Sequence, residues 1–389
     1  MTYLLIASNL ILLAISFNLI RNRFLFKPLS SVPNTRLRGL PAHSYPSISV
    51  CIPARNEENN IGRCVESLLN QKYASFQILV LDDNSEDGTG IVLDALQKDH
   101  PEKLNVYRGR PKPDGWLGKQ WACQQLSEYA TGDLLIFADA DTWFETDVLM
   151  KTASAFTNYG ADMITVWPRQ HLESFWERLL IPLVYYALIG FLPTHYTFRK
   201  PLWMPAIFYG KFAHLFAAAC GQFLAFRSYA YHLIGGHESV KADVVEDVEL
   251  AKLFRKNKLQ VLMLHGMGSV NCRMYTNHRE IREGFRKNFL AGFGYNLPIF
   301  IISAIGHIIV FVLPFVVPFI TTDPTTLLMS VSAVTLILLH RLLLASWFRW
   351  NKAYAFIHPL AVLWFQYLGI VVLADYLLKR KITWKNRPI

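Results

Sequence analysis

The chain has only five cysteines in 389 residues, Cys51, Cys64, Cys123, Cys220 and Cys272, and no Cys-x-x-Cys pair among them. An odd, widely spread set indicates neither a disulfide framework nor a structural zinc site, so the bulk of the protein is expected to face a reducing compartment. Acidic residues are in deficit, 29 against 39 basic ones, for a formal net charge of +10. Such an excess attracts nucleic acid or an anionic membrane surface. With 52% apolar residues the membrane is the favoured partner, and no nucleic acid is expected. No Gly-x-Gly-x-x-Gly follows a strand-like run, and Gly115-Trp-Leu-Gly118-Lys119 lacks the spacing of a P-loop. Hydride transfer and ATP hydrolysis lose support accordingly. There is no internal repeat and no low-complexity tract.

Long apolar runs, by contrast, are present at both ends. Tyr3 to Ile20 is uncharged and long enough to span a bilayer, and Arg21, Arg23 and Lys27 come directly after it. A cleaved signal peptide has its charge before the apolar stretch, so residues 1–21 read as a retained anchor, and the chain beyond it is expected in the cytoplasm. Residues 22–46, with Pro28, Pro33, Pro41 and Pro46, read as a linker. Residues 47–295 are expected to form the cytoplasmic catalytic domain, with interfacial helices around 173–220, where apolar sequence is broken by prolines and basic residues. Three apolar segments lie within 296–378, near Leu297–Ile320, Thr326–Leu344 and Tyr354–Leu378, then a basic tail, 379–389. Three full spans would put that tail outside, against the positive-inside rule. A re-entrant hairpin broken at His358-Pro359 would resolve the conflict.

Between positions 47 and 275 short apolar runs alternate with helix-length stretches, the pattern of an α/β domain with a mostly parallel sheet. Strands are expected at 47–52, 76–81, 104–108, 134–138 and 163–167. Three of them end in polar clusters: Pro53-Ala-Arg-Asn-Glu-Glu58, Asp82-Asp-Asn-Ser85 and Asp139-Ala-Asp141. In an open parallel sheet, ligands sit beyond the carboxyl ends of the strands, where these clusters converge.

Asp139 and Asp141, two carboxylates at i and i+2, are a handle for Mg²⁺ or Mn²⁺, which share oxygen ligands with substrate phosphates. Such a metal stabilises the charge building on a leaving diphosphate. Asp82 and Asp83 suit either a strand-to-helix turn capped by Asp87 or hydrogen bonds to a nucleobase or ribose. The Asn and Glu residues after Ala54 can equally cap the helix that starts near Ile61. Lys119, at the start of a helix, can meet a phosphate or lie solvated on the surface. Glu246 and Asp247 open another helix, where acidic residues are common for dipole reasons alone; the chemical alternative makes Asp247 a general base.

The order of these motifs resembles the family 2 glycosyltransferases of the GT-A fold. Asp114-Gly-Trp-Leu-Gly118-Lys119-x-x-Ala-Cys123, Gly235-Gly-His237, Arg273-Met-Tyr275 and Gly284-Phe-Arg-Lys-Asn288 look like the branch that glycosylates carotenoids and hopanoid-type lipids. The resemblance implies that Ala54, Glu57 and Asp83 hold the uridine part of a donor such as UDP-glucose. It implies that Asp139 and Asp141 bind ribose and metal-diphosphate, with Lys119, Arg286 and Lys287 near the phosphates. Asp247 matches the family's base, and Gly236, His237 and Glu246 fall on the acceptor side. The Gln-x-x-Arg-Trp signature of processive polysaccharide synthases is missing, which weakens that alternative.

One base and one metal suit direct inverting displacement by an acceptor oxygen, at the cytoplasmic face of a multi-pass membrane protein. An alcohol acceptor needs a base and a carboxylate does not, so Glu246-Asp247 leans towards a carotenoid hydroxyl, with a carotenoid acid, polyisoprenoid or hopanoid lipid behind it. A nucleotide-binding transporter or scaffold would carry more ionisable residues within its spans than His307 and His340.

Overall fold

The structure is a computed structural model that describes residues 1–34, 41 and 44–380, with the backbone of 383–384 and 387–388. Residues 35–40 and 42–43 of the expected linker, and 381–382, 385–386 and 389 of the basic tail, lie outside the described residues. The chain forms two compact units. One comprises Leu25–His171 with Thr194–Met274, the other Met1–Phe24 with Leu172–Pro193 and Tyr275–Ile389.

The first unit is α/β. Its strands in chain order are β1 (Ile48–Ala54), β2 (Phe76–Asp82), β3 (Leu104–Arg108), β4 (Leu134–Ala138), β5 (Thr142–Phe144), β6 (Met163–Trp167), β7 (Arg169–Gln170), β8 (Phe223–Arg227), β9 (Val261–His265) and β10 (Val270–Cys272). Seven make one sheet in the order β3-β2-β1-β4-β8-β6-β9, and β5-β10-β7 make a small second one. All five expected strands are present. Side chains alternate across the large sheet: Val50, Ile52, Ile78, Val80 and Ile136 pack on one face, Cys51, Leu79, Leu81, Leu135 and Phe137 on the other. Both faces are covered by helices, which is why these strands read as continuous apolar runs. The helix Ile61–Leu69 shows the matching pattern, burying Ile61, Cys64, Val65 and Leu68 at helical spacing.

Two expectations need correction. The stretch expected as interfacial helices divides into two parts, and a strand follows it. Phe175–Phe191 is a helix of the second unit, residues 194–216 form short helical turns in the first, and Phe223–Arg227, just beyond, is a central strand. β8 runs antiparallel between β4 and β6. Its Phe223-Leu-Ala-Phe226 run is buried on both faces, and a short run without polar alternation reads equally as buried helix or strand. In the short turns Leu202, Trp203, Ile207 and Leu215 stay exposed. The supposed linker also belongs to structure at its start: the first helix continues to Leu25, Phe26, Leu29 and Val32 are buried, and Pro28 bridges to His265.

The second unit is helical. Four of its helices, Thr2–Leu25, Leu297–Phe319, Pro324–Phe348 and His358–Leu377, are long and apolar enough to cross a membrane. Buried polar side chains tie them together. Asn9 donates to Leu5 O and Met329 O, Asn22 donates to Ile189 O and Leu192 O, and His340 is hydrogen-bonded to Ser16 and Tyr186. The last helix is continuous, with Pro359 in its first turn where proline is tolerated, so His358-Pro359 makes no re-entrant break. The interruption lies instead in the first of the three C-terminal segments, where Leu297–Phe311 gives way at Val312 to the short turns before Phe319. The expected 47–295 domain divides at Met274, and residues 275–295 belong with the helical unit.

Candidate active site

The carboxyl ends of β1 and β2 are braced to each other. The Asp83 amide donates to Ala54 O at 2.8 Å, the Asn56 amide donates to Ser85 Oγ at 3.0 Å, and the Glu86 amide donates to Asn56 Oδ1 at 2.8 Å. Asn56 and Asn84 both take positive φ, a conformation that asparagine tolerates better than most residues. Within the double aspartate the two positions separate. Asp82 is fully buried, paired with Arg108 and accepting from the Ser85 amide, so it serves the fold. Asp83 lies at the strand end, with Arg55 donating to its backbone oxygen. Asp87 accepts from the Thr89 amide where the helix Thr89–Asp99 begins, although the N-cap position itself is Gly88 and not Asp87 as expected. Glu57 accepts from Asn60, at the start of the helix Ile61–Leu69.

At β4 the antiparallel neighbour decides the geometry. Pairing Ala138 with Phe223 sets the residues just before β8 beside those just after β4, and the Asp139 amide donates to Gln222 O at 3.4 Å. Gly221 therefore sits in the crevice. Its amide donates to Asp247 Oδ2 at 2.7 Å, and the Val248 amide holds Asp247 Oδ1 at 2.8 Å. A Cβ on Gly221 would meet Lys119 Nζ at 3.1 Å, Asp247 Oδ2 at 3.4 Å and Glu246 Oε1 at 3.5 Å, so the glycine lets three charged groups close around it.

Lys119 enters from the helix Gly118–Tyr129, whose first turn is fixed by Gln120 donating to Asp243 O at 2.6 Å. Its ammonium pairs with Asp139 Oδ1 at 2.8 Å and with Glu246 Oε1 at 3.1 Å. Burial works against the Lys119 charge, but Asp139 and Glu246 outweigh it and hold the ammonium well above the usual lysine value. For Asp247 burial comes first and the Glu246 charge second. Together they push its carboxyl up to about 7, against the pull of Lys119 and the two amides. A carboxylate poised near neutrality is what a general base requires.

The structure thus brings together Lys119, Asp139, Glu246 and Asp247, with Asp141 two residues beyond Asp139. Gly221, which organises them, carries no chemistry of its own, and only the strand pairing reveals it. Asp139 and Asp141 offer carboxylate oxygens alone, and among the described residues no group of three or more His, Cys, Asp or Glu forms a cage. Two carboxylates fit a hard divalent cation that completes its shell with phosphate and water.

His237 is enclosed. It is 1% exposed, hydrogen-bonded to the Tyr231 hydroxyl at 2.7 Å and packed edge-on to Phe137, and burial lowers its pKa to about 3. A neutral, enclosed imidazole supports the turn. Gly236 has positive φ with the Tyr231 ring against it, so it too is a packing residue. Arg286 and Lys287 are on the helix His278–Asn288 of the helical unit. There Arg286 Nε pairs with Asp375 Oδ2 at 2.6 Å. Asp375 is buried on an apolar helix and needs that counter-charge, which gives Arg286 a structural task. The motif pair Tyr275 and Gly284 is also structural, since the Tyr275 ring occupies the space a Cβ on Gly284 would take.

Residues 49–230 match the family model described as glycosyl transferase family 2. The chain carries a family 2 glycosyltransferase domain. It is 27% identical over 262 residues to a 4,4'-diaponeurosporenoate glycosyltransferase of Staphylococcus haemolyticus, covering 63% of this chain and 62% of the relative. It is 23% identical over 258 residues to the Staphylococcus aureus protein of the same name, covering 66% and 64%. The match spans less than two thirds of these relatives' own length. A mannosyltransferase of Pyrobaculum calidifontis, solved with GDP-mannose and Mn²⁺, superposes with a TM-score of 0.52 at 15% identity, covering 96% of this chain and all of that one. The glycosyltransferase domain shares that fold, GT-A.

Proposed function

We propose that this protein is an inverting glycosyltransferase that moves a sugar, glucose from UDP-glucose, onto a carotenoid-type lipid at the cytoplasmic face of a membrane. The observation that carries the reading is Asp247, fixed by the Gly221 and Val248 amides beside the Lys119–Asp139–Glu246 cluster at the strand ends. Ala54, Glu57 and Asp83 line the nucleoside end of the crevice. Asp139 and Asp141 would hold a divalent cation, which supplies charge neutralisation for the departing diphosphate. Lys119 orients Asp139 and Glu246 and adds a second positive charge on the leaving-group side. Asp247 takes the acceptor proton as the acceptor oxygen attacks the anomeric carbon from the face opposite the leaving group.

Two acceptor chemistries remain open, and the same residue separates them. The relatives' name is that of a carboxylate, which is already ionised and needs no base. Such an acceptor would approach Glu246 and Asp247 more readily with Asp247 protonated, as its raised pKa allows. An alcohol acceptor needs Asp247 ionised.

The test is transfer of labelled glucose from UDP-glucose into the organic-extractable fraction, using membranes that contain the protein, a divalent metal, and a carotenoid alcohol or a carotenoid acid. Label is expected only with intact Asp141 and added metal. Asp247→Asn is expected to abolish transfer to the alcohol while largely sparing the acid. Absence of transfer from any nucleotide sugar to any lipid, with donor still bound, would overturn the reading.

A further inference from the structure

The helical unit contains a narrow pocket lined by Arg178 and Pro182 from the helix Phe175–Phe191, by Arg341, Leu344 and Ala345 from Pro324–Phe348, and by Trp350 and Tyr354 beyond its end. Arg341 is 4% exposed, and its Nη1 is buried with no hydrogen-bond partner. Among the described residues no carboxylate pairs with Arg341 or Arg178. The adjacent residue, His340, has both ring nitrogens bonded, to Ser16 and Tyr186, so the polar groups of this helix are otherwise well provided for. A guanidinium buried in an apolar unit without a counter-charge is strongly destabilising, and ionisable groups in such helices mark sites.

Position narrows the missing partner. The helix Pro324–Phe348 ends at Arg349, whose positive φ turns the chain, and the Trp350 amide closes on Ala345 O at 2.8 Å. Trp350, Asn351 and Tyr354 are thereby gathered into the lining of the pocket, near the end of an apolar helix. Aromatic side chains at such a level belong to the membrane–water interface, where the anions within reach are lipid phosphates. Two guanidiniums offer forked donors matched to phosphate oxygens, and apolar walls at Pro182, Leu344 and Ala345 suit the rest of a lipid.

We infer that Arg341 and Arg178 form an oxyanion site that takes the phosphate of an anionic lipid, apart from the donor crevice and its chemistry. The bound phosphate supplies the charge that Arg341 lacks. Protein purified in neutral detergent and stripped of lipid is followed by thermal unfolding during titration with phosphatidylglycerol, phosphatidylcholine or inorganic phosphate. Phosphatidylglycerol is expected to raise Tm saturably, with little response to the other two. The half-saturating concentration should rise about tenfold or more in Arg341→Met and in Arg178→Met, the loss expected for one charge-assisted hydrogen bond. A matching response to inorganic phosphate would keep the oxyanion site and reject the lipid as its source. No response to either anion, or unchanged midpoints in the variants, overturns the proposal. Should Arg341→Met not fold, the wild-type titrations and the partly exposed Arg178→Met decide it.

Discussion

The Gly221 amide donates to Asp247 Oδ2 at 2.7 Å, so the proposed base is aimed by a residue that has no side chain. The space that a Cβ would take is bounded by Lys119, Asp247 and Glu246 at 3.1–3.5 Å. Gly221→Ala is expected to leave the fold intact, because the neighbours that must yield are side-chain ends. It should push the Lys119 ammonium back by a few tenths of an ångström from Asp139 and Glu246, beside Asp247, and lower kcat by about 10-fold, as small misplacements of a charged group at a reacting centre do. Transfer kinetics alongside an unchanged circular dichroism spectrum would check it. Full activity in Gly221→Ala would separate the placement of Lys119 from the chemistry.

The pH profile is set by the surroundings of Asp247. Burial, then Glu246, raises its pKa to about 7, while Lys119 opposes. A base works ionised, so with an alcohol acceptor kcat/KM should fall as pH drops below about 7 and level off above it. Glu246→Gln removes a negative neighbour and should move the inflection to lower pH. Lys119→Met removes a positive one and should move it higher. The sign of these two shifts is the diagnostic, and equal profiles in all three proteins would assign the inflection to another group.

Much of this site was legible because each strand that builds it ends in a polar cluster. Ile48–Ala54, Phe76–Asp82 and Leu134–Ala138 stand within a few residues of the expected positions, and their terminal carboxylates converge as a parallel sheet requires. What sequence could not supply was the reversal at Phe223–Arg227. An apolar run buried on both faces has no period to distinguish strand from helix, and nothing local marks it as antiparallel. That reversal is what carries Gly221 to Asp139 and Asp247. The same limit applies to Gly236-His237, where a motif position suggested contact with an acceptor and packing against Tyr231 and Phe137 gave a buried support.

His237 provides the third prediction. His237→Ala takes the imidazole partner from the buried Tyr231 hydroxyl, which keeps only the backbone amide of residue 237 and Ser127, and opens a cavity beside Phe137, at a cost of about 2–4 kcal/mol in stability. The kcat of the protein that remains folded should stay near wild type. Thermal unfolding and active-site-normalised kinetics distinguish this from an acceptor contact, which would raise the acceptor KM with little change in Tm.

Arg286 is expected to behave as a structural cation. Removing it in Arg286→Met leaves Asp375, whose side chain is 3% exposed, with Arg380 at 3.8 Å as its one remaining ion-pair partner among the described residues. A buried carboxylate that loses a close partner costs about 3–5 kcal/mol. Replacing both residues, as Arg286→Met with Asp375→Leu, removes the stranded charge together with its partner and should recover most of the lost stability. Unfolding in detergent of the two single variants and the double variant measures the coupling. The KM for the nucleotide sugar is read on the same proteins. A pair that acts only in the fold gives a double variant with near-normal donor KM. A donor KM that stays high after stability is restored would return Arg286 to the diphosphate.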